Sequence, residues 1–259
     1  LANAAILQSQ KTVIETVLDD AVSASVTAST AAQAAKEALT EAIAKLGSPA
    51  TAAQIAEVDA KKALAQAAAQ EAETKLAAAK AAENAASATN KIDPTHIESA
   101  NTAISKGTAT VAEVTVTLKA STDAIAKVVN TLGEAATTAA NEASGAALAV
   151  NSAKAELDAA VAQLGHPATD AQIVAVTNKE ARLQDAINNA MAKAQAATQA
   201  AAKASEIASA AAVATPASVA AANAAAQSAK TAVELANAAI LQSQKTVIET
   251  VLDDAVSAS

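Results

Sequence analysis

Residues 1–25, LANAAILQSQKTVIETVLDDAVSAS, recur letter for letter as residues 235–259, a period of 234. A weaker copy lies inside that period. The segment from Lys36, KEALTEAIAKLGSPATAAQIAEVDAKKA, aligns with KAELDAAVAQLGHPATDAQIVAVTNKEA from Lys154, an offset of 118 and about half of 234. Self-similarity at a fixed spacing marks a repeat architecture, in which each unit buries its apolar face against its neighbours. The chain therefore reads as two diverged units of roughly 117 residues and the opening stretch of a third. In numbers, residues 1–18 end the helix of a preceding repeat, 19–132 form the first repeat, 133–252 the second, and 253–259 open the next. Identity between the two ends suits a piece of a longer tandem array, and equally an engineered overlap.

Alanine supplies 85 of the 259 residues, against 5 Gly and 4 Pro. At this density, with Glu, Lys, Gln and Leu around it, it points to long helices or coiled coils. A low-complexity disordered chain is the competing reading, and the ordered spacing of Val, Ile and Leu speaks against it. From Ala2 to Leu46 there is no Gly or Pro, and a stripe with steps of three and four passes through Leu7, Ile14, Leu18, Ala21, Ala28, Ala32, Ala35, Leu39, Ala42 and Leu46. Gly47-Ser48-Pro49 stops it. Thr51 with Gln54, and Thr169 with Gln172, then have the spacing of capping boxes.

The second helix is expected from Ala52 to about Lys91, with a twin in the second unit. Lys62 and Glu180 interrupt the same position of the two stripes, and their stems can pack while their charges reach the rim. Asp93-Pro94 and Thr215-Pro216 end these helices and start others, with Asp93 or Thr215 as N-cap and Pro first in the helix. The third stripe runs through Ile97, Ala100, Ile104, Val111, Val114, Leu118, Ile125, Val128 and Leu132. Gly107 sits on it, so a local bulge or break is expected there, with Thr110 and Glu113 recapping the restart. The Val/Thr-rich run Thr108–Thr117 could be a strand, but an isolated strand has no partner, and helix is favoured. No stop separates this helix from the one ending near Leu164, which makes it about 105 Å long at ~1.5 Å per residue. The stripe slips by one position near Leu132-Gly133, rotating the apolar face as needed to pass from one bundle into the next. The expected fold is all-α: tandem three-helix bundles sharing helices between neighbouring units, drawn out into a rod. In connectivity it resembles spectrin repeats.

Phe, Tyr, Trp and Cys are absent. That excludes disulfides, a thiolate nucleophile and a zinc–thiolate site, as well as an aromatic platform for bases or sugars. The net charge of -8 repels phosphate backbones, so nucleic acid is not an expected partner. For His96, in DPTHIE near Asp93 and Glu98, a metal or acid–base role is conceivable; as the second unit reads PASV there and metal sites need several convergent ligands, a solvated turn residue is the better reading. His166 in LGHPA is judged the same way. Asp19-Asp20 and Asp253-Asp254 read as a solvated helix face, with weak Ca2+ attraction as the alternative although no D-x-D-x-D-G loop is present, and Met191 as packing on a helix flank. The uncharged stretch Ile207–Ala229 is Ala/Ser/Thr with Pro216 inside, too polar for a membrane span. No catalytic, cofactor or metal residues are assigned, and an enzyme is not expected.

The segments AIAKLGSPATAAQIAEV and AVAQLGHPATDAQIVAV resemble the turn of FIVAR-type modules, where a helix ends, a Pro/Ala/Thr turn follows and an Ala-Gln-Ile/Val helix begins. Such modules build giant three-helix-repeat surface proteins of bacteria. The resemblance implies a rod, wall-attached or secreted, that extends a binding domain or holds cells together. Its partners would be neighbouring repeats of the same chain or rods alongside. Two alternatives differ in class: a self-assembling filament subunit, and an Ala/Thr-rich ice- or surface-binding protein. The latter would show Thr every eleven residues, and Thr27, Thr30, Thr40, Thr51, Thr74 and Thr89 do not.

Overall fold

The computed structural model describes residues 2–89 and 92–257. Five helices follow one another: α1 (Ala2–Ala44), α2 (Ala52–Ala88), α3 (Pro94–Ala162), α4 (Asp170–Ala210) and α5 (Ala217–Ser257). Among the described residues there is no strand, so Thr108–Thr117 is helix. The chain divides into two compact units, Leu1–Val128 and Val129–Ser259. α3 contributes residues 94–128 to the first and 129–162 to the second.

The helix starts follow local chemistry. At Thr51 the hydroxyl accepts the Gln54 amide at 3.2 Å, while Gln54 Oε1 accepts the Thr51 amide at 2.9 Å. Gln54 Nε2 reaches back to the Lys45 carbonyl at 2.6 Å, so one side chain ties the end of α1 to the start of α2. Thr169, Gln172 and the Gln163 carbonyl repeat the arrangement between α3 and α4. The Ser48–Pro49 and His166–Pro167 peptides of these turns are cis. Asp93 caps α3 by accepting the Thr95 amide at 3.0 Å. α5 begins at Ala217, so Pro216 sits just before the first helical residue rather than in it.

α2 ends at Ala88, and Lys91, where the sequence puts its end, lies outside the described residues. α4 closes with the Val213 amide on the Ala208 carbonyl and the Ala212 amide on that of Ser209. This is a Schellman motif, and it needs a left-handed residue at Ala212, whose φ is 50°. A glycine would take that conformation without the roughly 1 kcal/mol an alanine Cβ costs.

In the first unit, Asp19 meets His96 and Lys36 meets Glu113, both pairs 77 residues apart. α1 and the opening stretch of α3 therefore run parallel in a constant register. α2 runs against them: its Leu76 lies beside Gly107, whereas Lys62, earlier in α2, reaches Thr122, later in α3. In the second unit, Glu142–Lys193 and Glu156–Lys179 show the closing stretch of α3 antiparallel to α4. Glu180 meets Ser243 of α5. Lys62 and Glu180, opposite in charge at equivalent positions, thus each find a hydroxyl on the facing helix.

Alanine makes up more than half of the buried apolar residues described. α2 buries Ala65, Ala69, Ala72, Ala79 and Ala86, and α4 buries Ala190, Ala194, Ala197, Ala201, Ala204 and Ala208. A side chain of one carbon is buried either by a neighbouring backbone that comes close or by a longer side chain from the facing helix, as Leu18 covers Ala86 and Ala100, and dispersion accumulates along the seam. Larger side chains are interspersed. Leu18 packs with Ala86 and Ala100, flanked by Ile14, Val22, Ala82, Ile92 and Ile97.

Four serines are buried in this core, Ser25, Ser29, Ser121 and Ser243. Ser25, Ser121 and Ser243 each donate to the carbonyl three residues earlier, so their hydroxyls need no water. Among the described residues, the Ser29 hydroxyl, beside Gly107, has no hydrogen-bond partner. Several stripe positions are half-buried, among them Ile14, Leu46, Ile97 and Leu118, and one lies off the stripe. Leu7 is exposed, and Val129 is buried in place of Val128, which is half-buried.

The expected break at Gly107 does not occur. α3 is continuous through it, Thr110 donates to the Lys106 carbonyl as in any helix interior, and Glu113 pairs with Lys36. The glycine is there for clearance. A Cβ at this position would lie 2.6 Å from Leu76 Cδ2 and 2.7 Å from Ser29 Oγ. At Gly145 a Cβ would meet nothing within 4 Å. Gly145→Ala should therefore stabilise the protein by about 0.5–1 kcal/mol through helix propensity alone. Gly107→Ala should lose that gain and more, for a net destabilisation of about 1–2 kcal/mol. Urea unfolding of the two variants checks both signs.

Candidate functional site

Asp93 and Pro94 bring His96 into the first turn of α3, and the parallel register of α1 places Asp19 opposite it. His96 Nδ1 lies 3.0 Å from Asp19 Oδ1. The His96 side chain keeps about a third of its surface exposed and that of Asp19 more than half, so the pair is a clip at the rim between α1 and α3. The hydrogen bond to Asp19 raises the His96 pKa above the ordinary range, with Asp19's charge adding to it and Glu15 and Asp93 acting from farther away. Asp93 is held below its usual range, first by the Thr95 amide and then by the Thr95 hydroxyl.

Of the residues grouped around His96 in the sequence, Glu98 lies elsewhere, on an open groove with Ser87, Ile92, Pro94, Ile97, Asn101, Thr102 and Ser105. Asp19, 77 residues away, is the partner that local sequence does not show. The constant separation between α1 and α3 would have shown it, had the register been known. Among the described residues, no three His, Cys, Asp or Glu side chains converge on a point where a metal could sit. A carboxylate-oriented imidazole is chemically competent as a base, but what surrounds this one is the helix cap.

His166 is exposed in its turn. The acidic pairs are more than a solvated face: Asp19 holds His96, and Asp254 Oδ2 accepts the Ala168 amide at 2.8 Å, tying α5 to the turn after α3. Met191 is 56% exposed and does not pack into the core. The Ile207–Ala229 stretch is broken between α4 and α5, and none of the described helices is long and apolar enough to cross a membrane. Across the helices, Lys179 reaches Glu156 at 2.6 Å and lowers its pKa, a surface pair of small energetic weight. Comparison of the chain with protein-family models, curated proteins and solved structures gives no match.

The His96–Asp19 clip makes stability pH-dependent with a defined sign. A group whose folded pKa is raised contributes fully below its unfolded value, about 6.5 for histidine, and that contribution disappears as pH rises through the folded value. Proton NMR should place the His96 titration above the ordinary histidine range. In Asp19→Asn it should fall back, and the loss of stability on raising pH through that interval should shrink. An unchanged His96 titration in that variant would contradict the pairing.

Proposed function

We propose that this chain is a structural segment of a long repetitive extracellular or cell-surface protein, serving as a spacer, adhesin stalk or filament. The single observation that carries the reading is the 69-residue helix α3, which supplies core residues to both compact units. A helix used twice has no slack at the junction of two modules. On this reading the modules are three-helix bundles in tandem, welded into a stiff rod, and a pull applied at one end reaches the other through continuous hydrogen-bonded backbone. The resemblance of the two Gly-x-Pro-Ala-Thr turns to those of FIVAR-type modules points to the same class of protein.

The alanine-rich seams suit this task. Each buried Ala removes roughly a quarter to a half of the apolar surface that Leu would, at about 25 cal/mol per Å2, so stability is spread along the length. Such an array yields module by module under load. Having no Cys and no aromatic side chain leaves little to oxidise in an exposed fibre.

Small-angle scattering tests the premise. A compact globule of this length has a radius of gyration of about 18 Å, and a rod should exceed it nearly twofold. Pulling on the two ends should then give separate unfolding events for the two units. A radius near the globular value, or one all-or-none rupture, would overturn the proposal.

A further inference from the structure

The identical segments 1–25 and 235–259 bury different sides of themselves. In the first copy Leu18 and Ser25 are buried and Lys11, Ile14, Glu15, Ala21 and Val22 are half-buried, with Ile14, Leu18 and Val22 packed against Ala82 and Ala86 of α2 and Ala100 of α3. In the second copy the same side stands in solvent, with Ile248, the counterpart of Ile14, 67% exposed and Leu252, the counterpart of Leu18, 60% exposed. What the second copy buries instead is Ala236, Ser243 and Thr250, with Ile240, Val247 and Asp254 half-buried. Their counterparts in the first copy are exposed wherever described, including Ile6 at 56% and Val13 at 59%.

The two sets share no position. Leu252 and Ser243 are nine residues apart, which at about 100° per residue places them on opposite sides of the helix. One sequence thus carries two complete packing faces, and each copy has one of them covered.

We propose that the uncovered face of residues 235–259 docks onto a second copy of this chain, in the seat that residues 1–25 occupy there. The fit follows from identity. Leu252 takes the place of Leu18 against Ala86 and Ala100, Ile248 that of Ile14, and Asp253 that of Asp19 opposite His96. The opposite face of α5 stays on its own unit. The displaced segment 1–25 peels away, as in domain swapping, and because donor and seat are different segments the contact is heterologous and adds copies one after another, into rings or open chains. Within one chain, residues 1–25 compete with an effective concentration in about the millimolar range, so the unmodified chain exchanges only when concentrated. The inference uses the identity of the two segments and their opposite burial and concerns the 259-residue chain by itself; under the function proposed above, a following repeat would compete for the same face.

The absence of cysteine allows a direct test. In His96→Cys/Asp253→Cys, mild oxidation should give a ladder of covalent multimers that grows with protein concentration. Leu18→Asp, which weakens the competitor, should shift that ladder to about 100-fold lower concentration. Adding Leu252→Asp should abolish it. Leu252 is exposed in the single chain, so Leu252→Asp alone leaves folding intact and gives a second arm: in sedimentation, the unmodified chain associates near millimolar concentration and L252D does not. Monomers throughout, or association indifferent to L252D, would overturn the proposal.

Discussion

The close approach of helices through alanine is the constraint on which the rest of this structure depends. A seam rich in single-carbon side chains leaves little room between helices, and its interspersed larger residues, such as Leu18 against Ala86 and Ala100, fill the space that alanine leaves. Gly107 marks the limit: beside Leu76 and Ser29 there is no room even for a methyl. Ser25, Ser121 and Ser243 obey the same rule, being small enough to enter and having their hydroxyls bonded to their own helix. Alanine's high helix propensity makes the long helices, and its size then dictates how they meet.

How far this is legible in the sequence follows the distinction between local and tertiary physics. The turns at Gly47–Pro49 and Gly165–Pro167, the capping boxes of Thr51 and Thr169 and the Asp93 cap are decided within a few residues, and all are found where their spacing puts them. Propensity misreads Gly107, because it sees only the backbone cost of glycine, whereas the reason for this one lies on two other helices. The Asp19–His96 clip escapes it for the same cause: nothing near either residue announces a partner 77 positions away. Met191 reads as packing on its type alone, yet its place on α4 faces water. Hydrophobic periodicity identifies the stripes but not which of two adjacent valines goes inside: Val129 is buried and Val128 half-buried.

The polar features fall into line with this frame. Lys62 and Glu180, the charges that interrupt the stripes, are accommodated by Thr122 and Ser243 on the facing helices rather than by each other. Asp254 and Gln172 hold the same turn from two sides, one on the Ala168 amide and one on the Gln163 carbonyl. These groups position helix ends. The two identical end segments bury opposite faces of one sequence.

The tightness of the alanine seams is open to one direct measurement. Ala72 is wholly buried in the middle of α2. If the helices meet closely there, Ala72→Leu should destabilise the protein by about 1–3 kcal/mol in urea unfolding, despite the greater hydrophobicity of leucine. If the seam is loose, the added methylenes will fill space and the variant will be as stable as the parent or more so, and close contact through alanine will not be what holds the helices together.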